Sequence, residues 1–145
     1  MSKFHRLPIA RVERETRDAV AVTFAVPDAL REQFRFTHGQ HLTLRADIGG
    51  QDVRRSYSIC SAVQDDVLRI AVKRSPGGAF STWANEALKV GATIEVMPPM
   101  GHFNMVLDPQ AKRHYLGFAA GSGRSSRRRR GTNTAARCRG EVPLR

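Results

Sequence analysis

Two short stretches of this chain combine residue types that suit an anionic ligand carrying a flat ring. Arg55-Ser56-Tyr57-Ser58 places a guanidinium, a phenol ring and two hydroxyl groups side by side. Further along, Gly77-Gly78-Ala79-Phe80-Ser81 places two glycines ahead of residues that can start a helix. A guanidinium and the free N–H groups of a helix start both bind phosphate, and an aromatic side chain can cover a flat ring. The two stretches therefore predict one shared ligand site.

These groups match the parts of FAD. If Arg55 and Tyr57 lie on a strand, their spacing of two puts both side chains on one face. Arg55 can then bind phosphate while Tyr57 covers the isoalloxazine ring, and Ser58 with its neighbouring backbone can reach the ring edge near N5. The helix dipole would add to the attraction of pyrophosphate at the Gly77-Gly78 turn. We expect FAD, with FMN as an alternative that a pyrophosphate site disfavours.

Each motif also has a simpler interpretation. An Arg-x-Tyr-Ser sequence is common on ordinary half-exposed strand faces, and a Gly-Gly pair before a helix is common as a plain turn. The order of the two motifs, their separation and the strand-rich sequence around them favour the joint interpretation.

The surrounding sequence alternates between apolar and polar residues in six short segments, which is typical of half-buried strands. These segments are residues 7–15, 19–26, 41–46, 52–59, 67–73 and 93–97. A helix is predicted over 80–88, before Gly91, and a single helical turn over 28–34 with Asp28 as its cap. Six strands at short spacing with one short helix predict an all-β fold, a six-stranded antiparallel Greek-key barrel.

The 145 residues fit one domain with a real hydrophobic core. The sequence contains no apolar run long enough to cross a membrane, and the first residues lack the apolar segment of a signal peptide, so we expect a cytoplasmic protein. Cys60 and Cys138 indicate neither a disulfide framework nor a four-thiolate cluster, and Cys60 is interpreted as a small buried residue. His5, His38, His41, His102 and His114 lack the spacing of a metal site, so no metal is predicted.

The net charge of +11 is concentrated at one end of the chain. Residues 124–145 contain eight arginines and one glutamate, with few apolar residues, and are predicted to be a disordered tail. Such a tail leaves a nucleic-acid-binding protein as an alternative function. Against this alternative, the rest of the chain shows no recognition helix, RNA-binding strand motif or zinc finger.

The sequence resembles the FAD-binding domain of the ferredoxin–NADP reductase family over roughly residues 4–123. Within that family it resembles the reductase subunits of bacterial phenylacetyl-CoA epoxidases, which act in phenylacetate degradation. The resemblance depends on residues 54–60, 71–74, 77–81 and 96–103. It implies a barrel of the FAD-binding reductase type, and a route by which electrons pass from NADPH to FAD, then to a [2Fe-2S] centre and to oxygenase subunits.

The resemblance also implies which residues contact the cofactor. Arg55 would contact the phosphate, Tyr57 would stack on the ring, and Ser58 would form a hydrogen bond near N5. Val72 and Lys73 would line the ribityl and adenine side, although a buried core residue and a solvated charge are the simpler interpretations of these two. The full predicted set is Arg55, Ser56, Tyr57, Ser58, Val72, Lys73, Gly77, Gly78, Phe80 and Ser81, and no catalytic residue is assigned.

The sequence departs from the family pattern after Gly121-Ser122-Gly123. The family continues with Ile-Thr-Pro and an NADP-binding domain, whereas this chain continues with Arg124-Ser125-Ser126. We therefore expect a barrel over 1–110, the first strand and glycine turn of a missing NADP-binding domain over 111–123, and an out-of-frame tail over 124–145. Such a fragment would bind FAD but lack NADPH oxidation, and its unpaired strand near Tyr115 would favour aggregation.

Overall fold

The computed structural model describes residues 3–104 and 110. Six strands and one α-helix form in this part of the chain. The strands are β1 (His5–Thr16), β2 (Ala19–Phe24), β3 (His41–Ile48), β4 (Gln51–Ser58), β5 (Leu68–Lys73) and β6 (Thr93–Val96), and the helix is α1 (Ala79–Glu86). Two short 3-10 turns, Asp28–Leu30 and Val63–Asp65, lie in the connections.

All the strand pairs are antiparallel, and the strands follow the order β4-β3-β6-β1-β2-β5. The last strand, β6, returns between β3 and β1, which is a non-sequential order of the Greek-key kind. Regular pairing does not close the sheet, because β4 and β5 remain its two edges. A single bridge between Ile59 and Ile70 links those edges, beside a 2.8 Å hydrogen bond from Cys60 N–H to the Arg69 carbonyl. Cys60 is partly exposed at this link, whereas the sequence predicts a buried residue.

The core forms from the inward-facing residues of the strands together with one face of α1. Alternating burial along β5 and β6 shows the period of two that the sequence pattern predicts. Phe80 and Ala84 extend the core from α1, and Phe80 is only 2% exposed. Burial of each large apolar side chain contributes about 1.5–3 kcal/mol, so α1 is held mainly by its packing against the sheet.

The long strand β1 belongs to both halves of the sheet. Residues His5 to Pro8 pair with β6, and the following residues pair with β2. The register with β2 shifts between Ile9 and Arg11 and again between Arg14 and Thr16. Such bulges bend a strand and increase its twist, which lets one strand serve two differently directed neighbours.

The all-β prediction, the six strands and the single α-helix are confirmed, with end points that differ by at most two residues. The helix begins at Ala79 and ends at Glu86, so it is shorter than the predicted 80–88. The prediction that Asp28 caps a helical turn is wrong, because Pro27 occupies the cap position and Asp28 is the first residue of the 3-10 turn. The Asp28 carboxylate accepts a 2.9 Å hydrogen bond from Arg31 Nε instead.

Several predictions lie outside the described residues, namely those for 111–123 and 124–145, for His114 and for Cys138. With eight residues, α1 is the longest helix in the described part of the chain, and no helix there could span a bilayer. No three His, Cys, Asp or Glu side chains among residues 3–104 lie together as a metal site would require.

Candidate FAD-binding site

Strand β4 divides the first predicted motif between the two faces of the sheet. Arg55 pairs with Leu44 and Tyr57 pairs with Leu42, and both leucines are buried in the core. Paired residues of neighbouring strands share a face, so Arg55 and Tyr57 lie on the inner face at the sheet edge. The prediction that the side chains of Arg55 and Tyr57 lie on one face of the sheet is therefore confirmed by the register.

The two serines of the motif lie on the opposite face. The Ser56 and Thr43 hydroxyls are 2.9 Å apart, and Ser58 pairs with His41. Their side chains therefore point away from those of Arg55 and Tyr57, which an alternating strand makes unavoidable. Ser58 is exposed at the last position of β4, so its backbone lies at the end of the strand edge.

Tyr57 connects the first motif with the second. Its ring centroid lies 5.7 Å from that of Phe80, which in turn lies 5.5 Å from Trp83. Burial raises the pKa of the Tyr57 phenol, and the nearby Arg55 charge opposes this only in part. The phenol is therefore neutral at physiological pH, and the half-buried ring offers an uncharged aromatic surface beside the start of α1.

The loop before α1 explains the two glycines. Gly77 has φ +70°, a left-handed conformation, and the Gly78 N–H donates to the Ser75 carbonyl at 3.0 Å. Pro76 followed by a left-handed glycine is the sequence of a type II turn. Gly78 has an ordinary φ, but the loop leaves no space for a side chain at this position. A Cβ there would lie 2.6 Å from Ser81 Oγ and 3.2 Å from the Ser75 carbonyl oxygen.

The Ser81 hydroxyl is engaged inside this loop. It accepts a 3.0 Å hydrogen bond from the Ser75 N–H and donates to the Gly78 carbonyl at 3.1 Å. The first hydrogen bond of α1 runs from the Thr82 N–H to the Gly78 carbonyl at 3.0 Å. The N–H groups of residues 79–81 precede that bond, so they have no acceptor within the helix and are the groups that a phosphate can use.

Val72 and Lys73 lie at the end of β5. Val72 is 1% exposed and belongs to the core. The Val72 carbonyl accepts a 3.1 Å hydrogen bond from Asn85 Nδ2. Lys73 is exposed and pairs with Ala19, which places its side chain at the solvent-facing end of the strand.

Two polar residues near the site carried no signal in the sequence. Asn85 is buried within α1, and Arg14 reaches it from β1 with two hydrogen bonds of 3.3 and 3.1 Å. Neither residue belongs to a motif, and the sequence separation of 71 between them is bridged only by the fold.

The residues present fit FAD. In the described part of the chain no carboxylate pairs with the exposed Arg55 guanidinium, which bonds only the neighbouring Arg54 carbonyl, at 2.6 Å. The free N–H groups at the start of α1 and the Tyr57 ring lie near each other, because Tyr57 contacts Phe80 in the first turn, and a Cβ on Gly77 would meet no other atom within 4 Å. A cation, a row of N–H donors and an aromatic face are what a flavin with a pyrophosphate requires.

Relatives of known function match most of this chain. It is 52% identical over 125 residues to a component of the 1,2-phenylacetyl-CoA epoxidase of Escherichia coli K12, covering 85% of this chain and 35% of that protein. It is 41% identical over 121 residues to the ferredoxin reductase component of the Rhodococcus rhodochrous 3-ketosteroid-9-alpha-monooxygenase, covering 81% and 33%. The chain thus spans about a third of the length of these relatives. Neither match supports the nucleic-acid alternative.

A solved structure gives the same fold. Phthalate dioxygenase reductase, described as a modular structure for electron transfer from pyridine nucleotides to [2Fe-2S], superposes with a TM-score of 0.58 at 29% identity. The superposition covers 71% of this chain and 32% of that one. The sequence model of the oxidoreductase FAD-binding domain matches residues 6–105, which are nearly all of the described residues. The chain therefore belongs to the oxidoreductase FAD-binding domain family, and its cofactor is FAD.

Proposed function

We propose that this chain is the FAD-binding portion of an NADPH-dependent reductase that supplies electrons to a phenylacetyl-CoA oxygenase. The observation that carries the proposal is the contact between Tyr57 and Phe80. It places the strand that carries Arg55 beside the helix start with its free N–H groups. Two groups that we propose to bind phosphate, and one aromatic face, thereby belong to neighbouring elements.

Each residue of this site has a proposed part in binding. Arg55 and the N–H groups of residues 79–81 hold the pyrophosphate, because they supply a cation without a carboxylate partner and donors without a helical acceptor. Tyr57 covers the ring, and the backbone at Ser58 borders the ring edge. Gly77 keeps the approach to the helix free of a side chain, while Gly78 and Ser81 let the loop pack closely from inside. Val72 and Lys73 are proposed to line the ribityl and adenine side from β5, the other edge strand of the sheet.

The chemistry of the whole system is proposed from the relatives. FAD bound at this site would supply hydride acceptance and the release of single electrons. The relatives include a component of a phenylacetyl-CoA epoxidase and a reductase that transfers electrons from pyridine nucleotides to [2Fe-2S]. NADPH, a [2Fe-2S] centre and the oxygenase subunits are therefore the proposed reaction partners. This chain contributes the binding and orientation of the flavin between them.

The first test is flavin retention by the purified chain. The protein is incubated with excess FAD, desalted, and its visible absorption spectrum is recorded. The proposal is supported if the unsubstituted chain and Arg54→Ala retain the flavin bands while Arg55→Ala and Tyr57→Ala lose them. Arg54 is a matched control because it lies next to Arg55 but pairs with Asp52 at 2.7 Å. A folded protein that retains no flavin would contradict the claim that this chain holds FAD unaided.

A further inference from the structure

Asn85 is a buried amide that links the start of α1 to the sheet. The residue is 7% exposed, and its Nδ2 group donates to two carbonyls, that of Val72 at 3.1 Å and that of Ser81 at 2.8 Å. Val72 belongs to β5, whereas Ser81 belongs to the first turn of α1. One side chain therefore joins the helix turn to the neighbouring strand through backbone atoms on both sides.

Arg14 completes this arrangement from a third element. Its guanidinium donates to Asn85 Oδ1 at 3.3 Å and to the Asn85 carbonyl at 3.1 Å. Arg14 pairs with the buried Val20, so its side chain leaves β1 on the inner face and reaches across to α1. Both ends of the Asn85 amide thus have partners, as a buried amide requires.

The position of Ser81 makes this link relevant to the ligand. The Ser81 carbonyl is held by Asn85, and its hydroxyl is held by the Ser75 N–H and the Gly78 carbonyl. Its N–H is one of the free groups at the start of α1. Because the carbonyl and the hydroxyl are both fixed, the direction of the N–H groups in this turn is fixed as well.

We propose that Asn85, supported by Arg14, is a positioning residue that aims the first-turn N–H groups of α1 at the FAD pyrophosphate. The inference rests on the proposed function, because it needs the phosphate groups at this helix start. Without the two amide donations, the first turn would still pack through Phe80 but would be free to rotate against β5. Hydrogen bonds to a phosphate weaken steeply with misalignment, so affinity would fall while the ring contact persisted.

The test compares Asn85→Ala and Asn85→Ser with Ile94→Val. The serine variant keeps a polar side chain that is too short to bridge both carbonyls. It replaces the alanine variant in the titration if Asn85→Ala does not fold. Ile94 is a buried residue of β6, which pairs with β1 and β3, so its truncation is a control for a general loss of stability. FAD dissociation constants are measured by fluorescence titration, at a temperature where circular dichroism shows every variant folded.

We expect the Asn85 variants to bind FAD about tenfold more weakly than the unsubstituted chain. At saturating FAD their visible spectrum should match that of the unsubstituted chain, because the ring still lies against Tyr57. Ile94→Val should keep its affinity. The inference would be overturned if the Asn85 variants bound FAD as tightly as Ile94→Val does. It would also be overturned if their flavin spectrum at saturation were altered. Failure of the unsubstituted chain to bind FAD is a separate result that would overturn the proposed function itself.

Discussion

Gly78 and Ser81 approach each other so closely that the turn before α1 has no space for a side chain at residue 78. A Cβ on Gly78 would lie 2.6 Å from Ser81 Oγ, closer than real carbon–oxygen contacts allow. The same hydroxyl bonds the Ser75 N–H and the Gly78 carbonyl, so it cannot move aside without breaking the loop. Gly78 is therefore needed for the packing of this loop.

The first prediction concerns Gly78→Ala. We expect the substitution to lower the free energy of unfolding by about 1–3 kcal/mol, as overpacking does, and to weaken FAD binding. Chemical denaturation of the apoprotein and FAD titration measure the two effects. The double variant Gly78→Ala/Ser81→Ala removes the colliding oxygen, so it should be less destabilised than the sum of the two single variants. Strict additivity of the two substitutions would contradict the collision.

The second prediction concerns Arg55→Ala. Arg55 is exposed and, among residues 3–104, has no carboxylate partner, so the apoprotein should keep its stability within about 0.5 kcal/mol. FAD affinity should fall about 10- to 100-fold, because a charge-assisted contact to phosphate is lost. Calorimetric FAD titration of Arg55→Ala and Arg54→Ala at low and high salt measures the difference. Equal losses in the two variants would show that general surface charge, and not Arg55, attracts the cofactor.

The third prediction separates the ring of Tyr57 from its hydroxyl group. Tyr57→Phe keeps an aromatic ring 5.7 Å from Phe80, whereas Tyr57→Ala removes it. We expect FAD affinity to fall much further in Tyr57→Ala, and the apoprotein to lose about 0.5–1.5 kcal/mol of aromatic packing beyond the burial itself. The flavin spectrum of the Phe variant should stay close to that of the unsubstituted chain. An equal loss of affinity in both variants would assign the role to the hydroxyl group.

The fourth prediction is a dependence of stability on pH through Glu95. Two hydrogen bonds from Arg45, at 2.6 and 2.8 Å, lower the pKa of Glu95 below its ordinary value. A carboxylate with a lowered pKa in the folded state stabilises the protein above its unfolded-state pKa, and this contribution is lost as the pH falls through the folded pKa. The unsubstituted chain should therefore be more stable than Glu95→Gln at neutral pH.

Thermal melting across the acid range measures this difference. The gap in melting temperature between the unsubstituted chain and Glu95→Gln should shrink as the pH falls below about 4, the ordinary range of a glutamate. Glu32→Gln serves as a control, because it removes an exposed surface carboxylate elsewhere on the chain. A gap that stays constant with pH would show that Glu95 acts through packing and not through its charge.

The sequence by itself determined the fold class and predicted the residues of the candidate site. The period of two marked six strands because each strand buries one face, and Gly77-Gly78 marked the turn because glycine readily adopts a left-handed φ, which Gly77 has. The face shared by Arg55 and Tyr57 followed from the same alternation. These features are local, so neighbouring residues are enough to predict them.

Only the tertiary structure decided how the elements meet. Three contacts form only when the chain folds or a loop closes. They are the ring contact between Tyr57 and Phe80, the hydrogen bond from the Ser75 N–H to the Ser81 hydroxyl, and the hydrogen bond from Arg14 to Asn85. No periodicity marks a buried asparagine, because its partners are backbone carbonyls that every residue has. The predicted cap at Asp28 failed for a related reason, since its carboxylate bonds Arg31 in preference to a backbone N–H. Sequence patterns show which groups are available, and packing decides which of them are already engaged and which stay free for a ligand.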